Sequence, residues 1–297
     1  MLRMRTLKTS EAAALLNVSP NTLRAWERRF GYPRPMRSPG KHRLYTYGEV
    51  VSLRDALNDG LSISSAISRA REAVRADTHV LLGALLAFDR GRADEAMEAA
   101  LALRPLERAV EEVMLPSLEE IVVRDGADSA PWAFATAWAA EWVQRARRIT
   151  PTPARPVRVL VGDATSGPYD RHALSVRTLE LCTARAGALV ITLPVSGVPG
   201  LGKVLASHEP DAVVLAGAAA PDDDVARWAY AIRSAVGALP MLLFHREVRG
   251  ERVSAAAGRT LDERASVAAR QVVDAIAQRE RSTTPVAPGS TPRTMSA

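Results

Sequence analysis

Seven basic side chains are concentrated within residues 24–43, and their shared chemistry is the binding of phosphate. They are Arg24, Arg28, Arg29, Arg34, Arg37, Lys41 and Arg43. Guanidinium and ammonium groups donate hydrogen bonds to phosphate oxygens and displace the counterions of a nucleic acid. Residues 1–49 carry ten Lys and Arg against three Asp and Glu, a net charge of +7, whereas the whole chain of 297 residues carries +6. A basic N-terminal segment on a nearly neutral body indicates an anionic partner, with nucleic acid as the obvious candidate.

Two short helices separated by a short turn, a helix-turn-helix, are predicted to present part of this basic set. Residues 9–17 open with a Thr or Ser cap and an acid in the first turn. Pro20 suits the first position of a second helix over residues 20–30, because its missing N–H is not needed there. Apolar residues repeat along one side of that helix, at Leu23, Trp26 and Phe30. The outward set is therefore Asn21, Thr22, Arg24 and Arg28.

A wing is predicted directly after the second helix. The run Gly31-Tyr-Pro-Arg-Pro breaks the helix, and Pro39-Gly40 forms a turn between two short extended arms within residues 36–45. The wing carries Arg37, Lys41, His42, Arg43 and Tyr45. Further helices are expected over residues 47–58 and from residue 60 onward. A helix followed by a basic loop fits a DNA duplex, with the helix in the major groove and the loop on the phosphates.

These residues carry a specific resemblance to a known family. The run Arg24-x-Trp26-Glu27, followed by Tyr32-Pro33, Arg37, Gly40, Arg43 and Tyr45, resembles the winged helix-turn-helix head of MerR-type transcription regulators over roughly residues 5–70. The resemblance implies that Trp26 lies in the core and that the DNA contacts are Arg24, Arg28, Arg37, Arg43 and Tyr45.

Two kinds of DNA contact are expected from this head. Asn21, Thr22 and Arg24 are placed to reach base edges. Wing residues, among them Lys41 and His42, should supply mostly salt-dependent contacts to phosphate. Since operators mirror the symmetry of the proteins that bind them, the expected state is a homodimer or a higher oligomer on double-stranded operator DNA.

The remainder of the chain is predicted to form two further domains and a tail. Residues 76–150 contain four amphipathic helical runs and are interpreted as a four-helix bundle. In residues 156–280, apolar strands predicted at 157–162, 189–193, 212–216 and 241–244 alternate with helices at 170–186, 200–208 and 222–236. This alternation indicates a doubly wound, Rossmann-like parallel sheet. The fold class is thus a multidomain α and α/β chain with boundaries at residues 1–75, 76–150 and 156–280, and the Pro-rich tail 281–297 is expected to be disordered.

The loop after the first predicted strand of this sheet carries a second resemblance. Ligands bind such sheets at the carboxyl ends of the strands. The order of head, bundle and sheet resembles the cobalamin-dependent light-sensing repressors of carotenoid genes within the MerR family, in which an acid-x-His-x-x-Gly run supplies the lower cobalt ligand. Asp170 and His172 match this run, and Ser175 replaces the Gly. The resemblance implies that His172 ligates cobalt and that Asp170 holds the other ring nitrogen.

The other cobalamin elements of that family are replaced in this chain. Aligned on Gly126, the positions of the upper-face residues are Val123, Ala133 and Phe134. The positions that hold the nucleotide tail read Ala216-Gly-Ala and Phe244-His-Arg, and bulky side chains at the latter would obstruct the tail. The nearby residues Trp132, Trp138, Glu141 and Trp142 are in another register and are interpreted as core. His172 therefore has three interpretations: a cobalt ligand, part of a site for another ligand, or a structural residue.

The sequence predicts a cytoplasmic DNA-binding transcription regulator whose bundle and sheet oligomerise or sense a small molecule or partner protein, without productive cobalamin binding. One alternative is a cobalamin-dependent regulator that uses His172. Another, from a different class, is a corrinoid-dependent enzyme or carrier. The sequence contains no nucleophile elbow, phosphate loop or metal-ligand cluster, and no apolar run long enough to span a membrane. Cys182 is expected to be a small buried residue.

Overall fold

The computed structural model describes residues 6–37, 42–152, 156–196, 200–237, 239–246 and 258–283. The chain divides into two compact units. The first unit comprises residues 1–146 and 167–178, and the second comprises residues 147–166 and 179–297. The first unit therefore contains both the basic head and the helical bundle.

The head is a helix-turn-helix with a small sheet. Its elements are β1 (Thr6–Lys8), α1 (Thr9–Leu15), α2 (Pro20–Phe30), β2 (Met36–Arg37), β3 (Arg43–Thr46) and α3 (Tyr47–Asn58). Ser19 caps α2 by accepting a hydrogen bond from the Thr22 N–H at 3.0 Å, and Gly31 ends it with a φ of 64°. The strands pair antiparallel in the order β1-β3-β2.

The predicted helices and both wing strands of the head are confirmed, and β1 was missed. A strand of three residues is too short to show an alternating pattern. The wing turn, which includes Lys41, lies outside the described residues. Leu23 is fully buried in the head core, and Trp26 and Phe30 pack partly buried against that core.

The bundle follows the head after a short connection over residues 59–62. It consists of α4 (Ile63–Leu86), α5 (Arg90–Leu103), α6 (Leu106–Ala109), a π-helical turn (Val110–Met114), α7 (Leu115–Asp125) and α8 (Ala130–Arg148). The predicted boundary between residues 75 and 76 falls inside α4, so the helix expected from residue 60 and the one expected near residue 80 are a single helix. The polar stretch between them contains no Pro or Gly to stop it.

Tryptophans of α8 form much of the bundle core. Trp132, Trp138 and Trp142 are all buried, as predicted. The Trp138 Nε1–H donates to Asp94 Oδ1 at 3.0 Å, which satisfies the buried indole. Glu141 was also expected in the core, but it lies on the surface and pairs with Arg90, because a carboxylate is costly to bury.

The second unit holds a parallel sheet of five strands. The strands are β4 (Val157–Asp163), β5 (Ala188–Pro194), β6 (Ala212–Ala216), β7 (Met241–Phe244) and β8 (Arg259–Thr260), in the order β5-β4-β6-β7-β8. The helices are α9 (Ala173–Arg185), which continues from the first unit, α10 (Leu201–His208), α11 (Asp222–Val236) and α12 (Ala265–Thr283). The predicted fold class and the four predicted strands are confirmed.

Two elements of this unit were not predicted. β8 has only two residues, both exposed, and therefore lacks the apolar signal of the other strands. α12 extends to Thr283, so the predicted tail begins within its last turn, and residues 284–297 lie outside the described part of the chain. Cys182 is buried, as expected. Among the described helices, none has both the length and the apolarity needed to cross a membrane.

Candidate nucleic-acid interface and sheet-edge site

The outward side of α2 presents the polar set that the helix period predicts. Asn21, Arg24 and Arg28 are exposed on the side of the helix opposite the buried Leu23. The Arg24 Nη1–H donates to Asn21 Oδ1 at 3.3 Å, so these two side chains lie side by side. Thr22 is only half-exposed, and its hydroxyl lies 2.8 Å from that of Ser19 within the helix cap. The helix can thus offer two guanidinium groups and an amide to a groove.

The wing strands bring two arginines face to face. In the antiparallel pair β2–β3, Arg37 is the direct partner of Arg43. Arg37 and His42 are exposed, and the Arg43 side chain is 31% exposed. Directly opposite residues of an antiparallel pair have side chains on the same side of the sheet. The described part of the wing therefore presents a basic surface.

Tyr45 does not belong to this surface. It is fully buried in the head core, and its hydroxyl donates to Glu27 Oε2 at 3.3 Å. Burial and the Glu27 carboxylate raise the pKa of the Tyr45 hydroxyl. The expectation that Tyr45 contacts DNA conflicts with this burial. Its ring fills the head core, and a local pattern of residue types cannot distinguish that inward orientation from an outward one.

A charged cluster that the sequence did not reveal joins the head to the bundle. The Arg108 Nη1–H donates to Glu49 Oε2 at 2.9 Å, and the Arg108 Nε–H donates to Glu112 Oε1 at 2.9 Å. Arg34 donates to Glu49 Oε1 through its backbone N–H at 3.1 Å and to Glu112 Oε1 through Nη1 at 2.9 Å. Glu49 and Arg108 are 59 positions apart, so no local motif could show this contact.

Of the two central members of this cluster, Glu49 is buried and Arg108 is largely buried. The exposed fractions of the Glu49 and Arg108 side chains are 4% and 14%. Burial raises the pKa of the Glu49 carboxyl, and the Arg108 guanidinium opposes that rise. Burial acts to lower the pKa of Arg108, but Glu49 and Glu112 raise it above its ordinary value, so the guanidinium remains charged. Each of the two groups therefore stabilises the charged state of the other against the cost of burial.

Asp170 and His172 lie together in the turn that precedes α9. Asp170 Oδ1 accepts the backbone N–H of His172 at 2.8 Å and lies 3.6 Å from His172 Nδ1. Asp170 is nearly buried, whereas the His172 side chain is 33% exposed. The two residues are near each other, as predicted, but the shorter contact of the carboxylate is with the backbone of the turn.

The carboxyl edge of the sheet is closed between β4 and β6, where the strand order reverses. The Ala164 N–H donates to the Ala216 carbonyl at 2.7 Å, and the Ala220 N–H donates to the Ala164 carbonyl at 2.8 Å. Gly217 has a φ of 97°, and a Cβ added there would lie 2.8 Å from Thr165 Cγ2. The loops after the two strands are thus in direct contact at the place where such sheets usually bind ligands.

Arg246 occupies the position beyond β7 and completes this closure. Its side chain is 3% exposed and donates to the carbonyls of Gly217 and Ala220 at 3.2 and 3.1 Å. It also pairs with Asp222 at 2.5 Å. The guanidinium thereby ties the loop after β6 to the start of α11.

The chain is similar to known proteins within the head and beyond it. Residues 8–45 match the model of the MerR family of regulatory proteins. The chain is 27% identical over 237 residues to the HTH-type transcriptional repressor CarH of Myxococcus xanthus, covering 71% of this chain and 78% of CarH. It is 30% identical over 195 residues to the repressor CarA of the same organism, covering 59% and 64%. A solved cobalamin-binding protein from Desulfitobacterium hafniense aligns with a TM-score of 0.34 and 14% identity, covering 68% of this chain and 97% of that protein.

The winged head, its basic outward face and the match over residues 8–45 define a transcription regulator whose N-terminal domain is similar to that of the MerR family. This regulator is related to the repressors CarH and CarA, and its similarity to CarH extends well beyond the head.

Proposed function

We propose that this regulator binds double-stranded operator DNA with α2 in the major groove and the wing on the flanking phosphates. The observation that supports this most directly is the exposed set Asn21, Arg24 and Arg28 on the side of α2 opposite its buried face. An Arg or Asn at this position can form paired hydrogen bonds with a base edge. Arg37, His42 and Arg43 would supply contacts to phosphate, and Lys41 stays a prediction from the sequence.

We also propose that the regulator acts as a homodimer or higher oligomer. A recognition helix reads a few base pairs, and two copies reading half-sites one helical turn apart give the affinity that an operator requires. The bundle and the sheet are the proposed sites of oligomerisation and of sensing. The cytoplasmic location expected from the sequence stays a prediction.

The first prediction concerns base readout by α2. Replacing Arg24 or Arg28 with alanine is expected to weaken binding to a duplex selected by the wild-type protein by about 10- to 100-fold, because a bidentate base contact is worth about 1–3 kcal/mol. Fluorescence anisotropy at several salt concentrations measures both the affinity and the salt slope. Arg124→Ala is the matched control, since this side chain is 61% exposed on the bundle. Equal affinities for the control and both head variants would refute the proposed interface.

The residues that correspond to the family's cobalamin-binding positions belong to both compact units. Asp170 Oδ1 lies 3.6 Å from His172 Nδ1, so an acid lies beside the imidazole that would be the lower cobalt ligand. The tail side offers no comparable fit, because Thr165 packs against Gly217 and Arg246 occupies the space beyond β7. A nucleotide tail would have to displace a buried, hydrogen-bonded guanidinium. We therefore propose that the regulator works without productive cobalamin binding and responds to another small molecule or to a partner protein.

The second prediction tests this absence of binding. After the protein is mixed with adenosylcobalamin in the dark and desalted, its absorption spectrum is expected to show no corrin band. The His172→Ala variant, treated identically, is the control and should give the same spectrum. Retained corrin colour that disappears in His172→Ala would instead favour the cobalamin-dependent regulator.

If the protein were instead a corrinoid-dependent enzyme or carrier, the two experiments would give different results. Such a protein would retain the corrin and would select no DNA sequence. The relatedness to the repressors CarH and CarA supports a regulator that is not an enzyme.

A further inference from the structure

We propose that Glu27 is a positioning residue for DNA binding, which holds the wing strand β3 against the recognition helix α2. This inference rests on the proposed DNA-binding function of the head. Glu27 lies on α2 between Arg24 and Arg28 in sequence, yet its carboxylate is directed at β3. It is an acid within the basic surface, where a carboxylate repels phosphate.

The contacts of Glu27 connect three side chains of two elements. The Arg43 Nε–H donates to both Glu27 oxygens, at 3.2 and 3.0 Å. The buried Tyr45 hydroxyl donates to Oε2 at 3.3 Å. The Glu27 and Arg43 side chains are only 20% and 31% exposed, so this ion pair is less screened by solvent than a fully exposed one. One carboxylate therefore joins α2 to two alternate residues of β3.

The pairing of β2 with β3 explains why the wing needs this acid. Arg37 and Arg43 are direct partners in the antiparallel pair, and like charges placed in this way repel each other. Glu27 pairs with Arg43 and offsets its charge. Without it, the repulsion would act to separate the strands or to turn Arg43 away from its present direction, and the basic groups of the wing would lose their register with α2.

Two explanations of Glu27 predict opposite changes in DNA affinity when its charge is removed. If Glu27 only contributes its charge, removing that charge from a DNA-binding surface raises the affinity. If Glu27 positions the wing, the same change lowers the affinity although the protein becomes more basic. Glu27→Gln separates the two explanations because glutamine has nearly the same shape and lacks the charge.

The experiment is a double-mutant cycle on the full-length protein. The probe is a fluorescein-labelled duplex of about 30 base pairs, long enough for two half-sites one helical turn apart, which the wild-type protein has selected from a random pool. Glu27→Gln is expected to lower the affinity about tenfold, as for the loss of one charge-assisted pair. Arg43→Lys keeps the charge but cannot reproduce the geometry of the Arg43 Nε contact, and it should show a similar loss. The double variant is expected to be no weaker than the weaker single variant, because both changes break one contact.

An affinity of Glu27→Gln at or above that of the wild type, or losses that add in the double variant, would overturn the positioning role. Melting curves by circular dichroism establish that each variant is folded at the temperature of the assay. Should Glu27→Gln be unfolded there, Arg43→Lys decides the question, and an unchanged affinity of this variant overturns the proposal. Failure of the wild-type protein to select any duplex would contradict the proposed function itself, so the two failures are distinguishable.

Discussion

Replacing Arg108 with alanine is expected to lower the free energy of unfolding of the first unit by about 3–5 kcal/mol, the usual cost of removing one partner from a buried ion pair. Glu49 would be left with a side chain that is 4% exposed and without the guanidinium that stabilises its charge. Urea unfolding followed by tryptophan fluorescence measures the change, since Trp26 and the three bundle tryptophans belong to this unit.

A matched control and a rescue variant make this prediction specific. Arg145→Ala removes an arginine that pairs with Asp94 at 3.0 Å but is 51% exposed, and it should cost less than about 1 kcal/mol. Glu49→Gln introduced into Arg108→Ala should recover part of the loss, because a neutral amide is less costly to bury than an unpaired carboxylate. If Arg108→Ala costs no more than the control, the cluster contributes little to stability.

The cluster also links the head to the bundle, so the loss of Arg108 should affect both. Glu49 belongs to α3 of the head, whereas Glu112 belongs to the π-helical turn of the bundle, and Arg108 binds both. Loss of Arg108 is therefore expected to increase amide hydrogen exchange in both elements together. Exchange that increases only in the bundle would show that the cluster does not hold the head.

Replacing Arg246 with alanine is expected to destabilise the sheet by about 3 kcal/mol, because the buried guanidinium loses three charge-assisted hydrogen bonds together. The carbonyls of Gly217 and Ala220 and the carboxylate of Asp222 would each lose a donor. Hydrogen exchange of the β6 and β7 amides measures this effect locally, without requiring the two units to unfold together.

Arg227→Ala is the matched control for this variant. Arg227 also pairs with an aspartate of α11, Asp224, but its side chain is 76% exposed. Its removal should change the exchange of the sheet amides little. Arg246→Lys should not restore the wild-type exchange rates, because one ammonium cannot reproduce a planar guanidinium that binds three oxygens. Equal exchange in Arg246→Ala and Arg227→Ala would show that Arg246 does not hold the sheet edge closed.

Elements with strong local signals could be predicted closely from the sequence. The helix α2 is marked by Pro20 at its first turn and by Gly31 at its end, and it was predicted with its observed bounds. The strands β6 and β7 were also predicted with their observed bounds, because short apolar runs between helices are typical of a parallel sheet. The sequence alone was less informative for α4, where a polar stretch obscured the continuity of a helix of 24 residues.

The residues of the candidate site also differ in how far the sequence predicts their orientation. The outward direction of Arg24 and Arg28 follows from the helix period, which depends only on local geometry. The inward direction of Tyr45 and the part played by Glu27 depend on how β3 packs against α2, and no residue spacing expresses that packing.

The sequence by itself determined that this protein has a basic winged helix-turn-helix head, a helical bundle and a parallel sheet, because helix caps, turn residues and hydrophobic periods act over a few neighbouring residues. Only the tertiary structure decided which charges are paired. Arg108 meets Glu49 across 59 positions, and Arg246 meets Asp222 across 24. Such pairs form because folding removes both groups from water at the same place, and the free energy of a buried charge depends on neighbours that the chain brings together only when it packs.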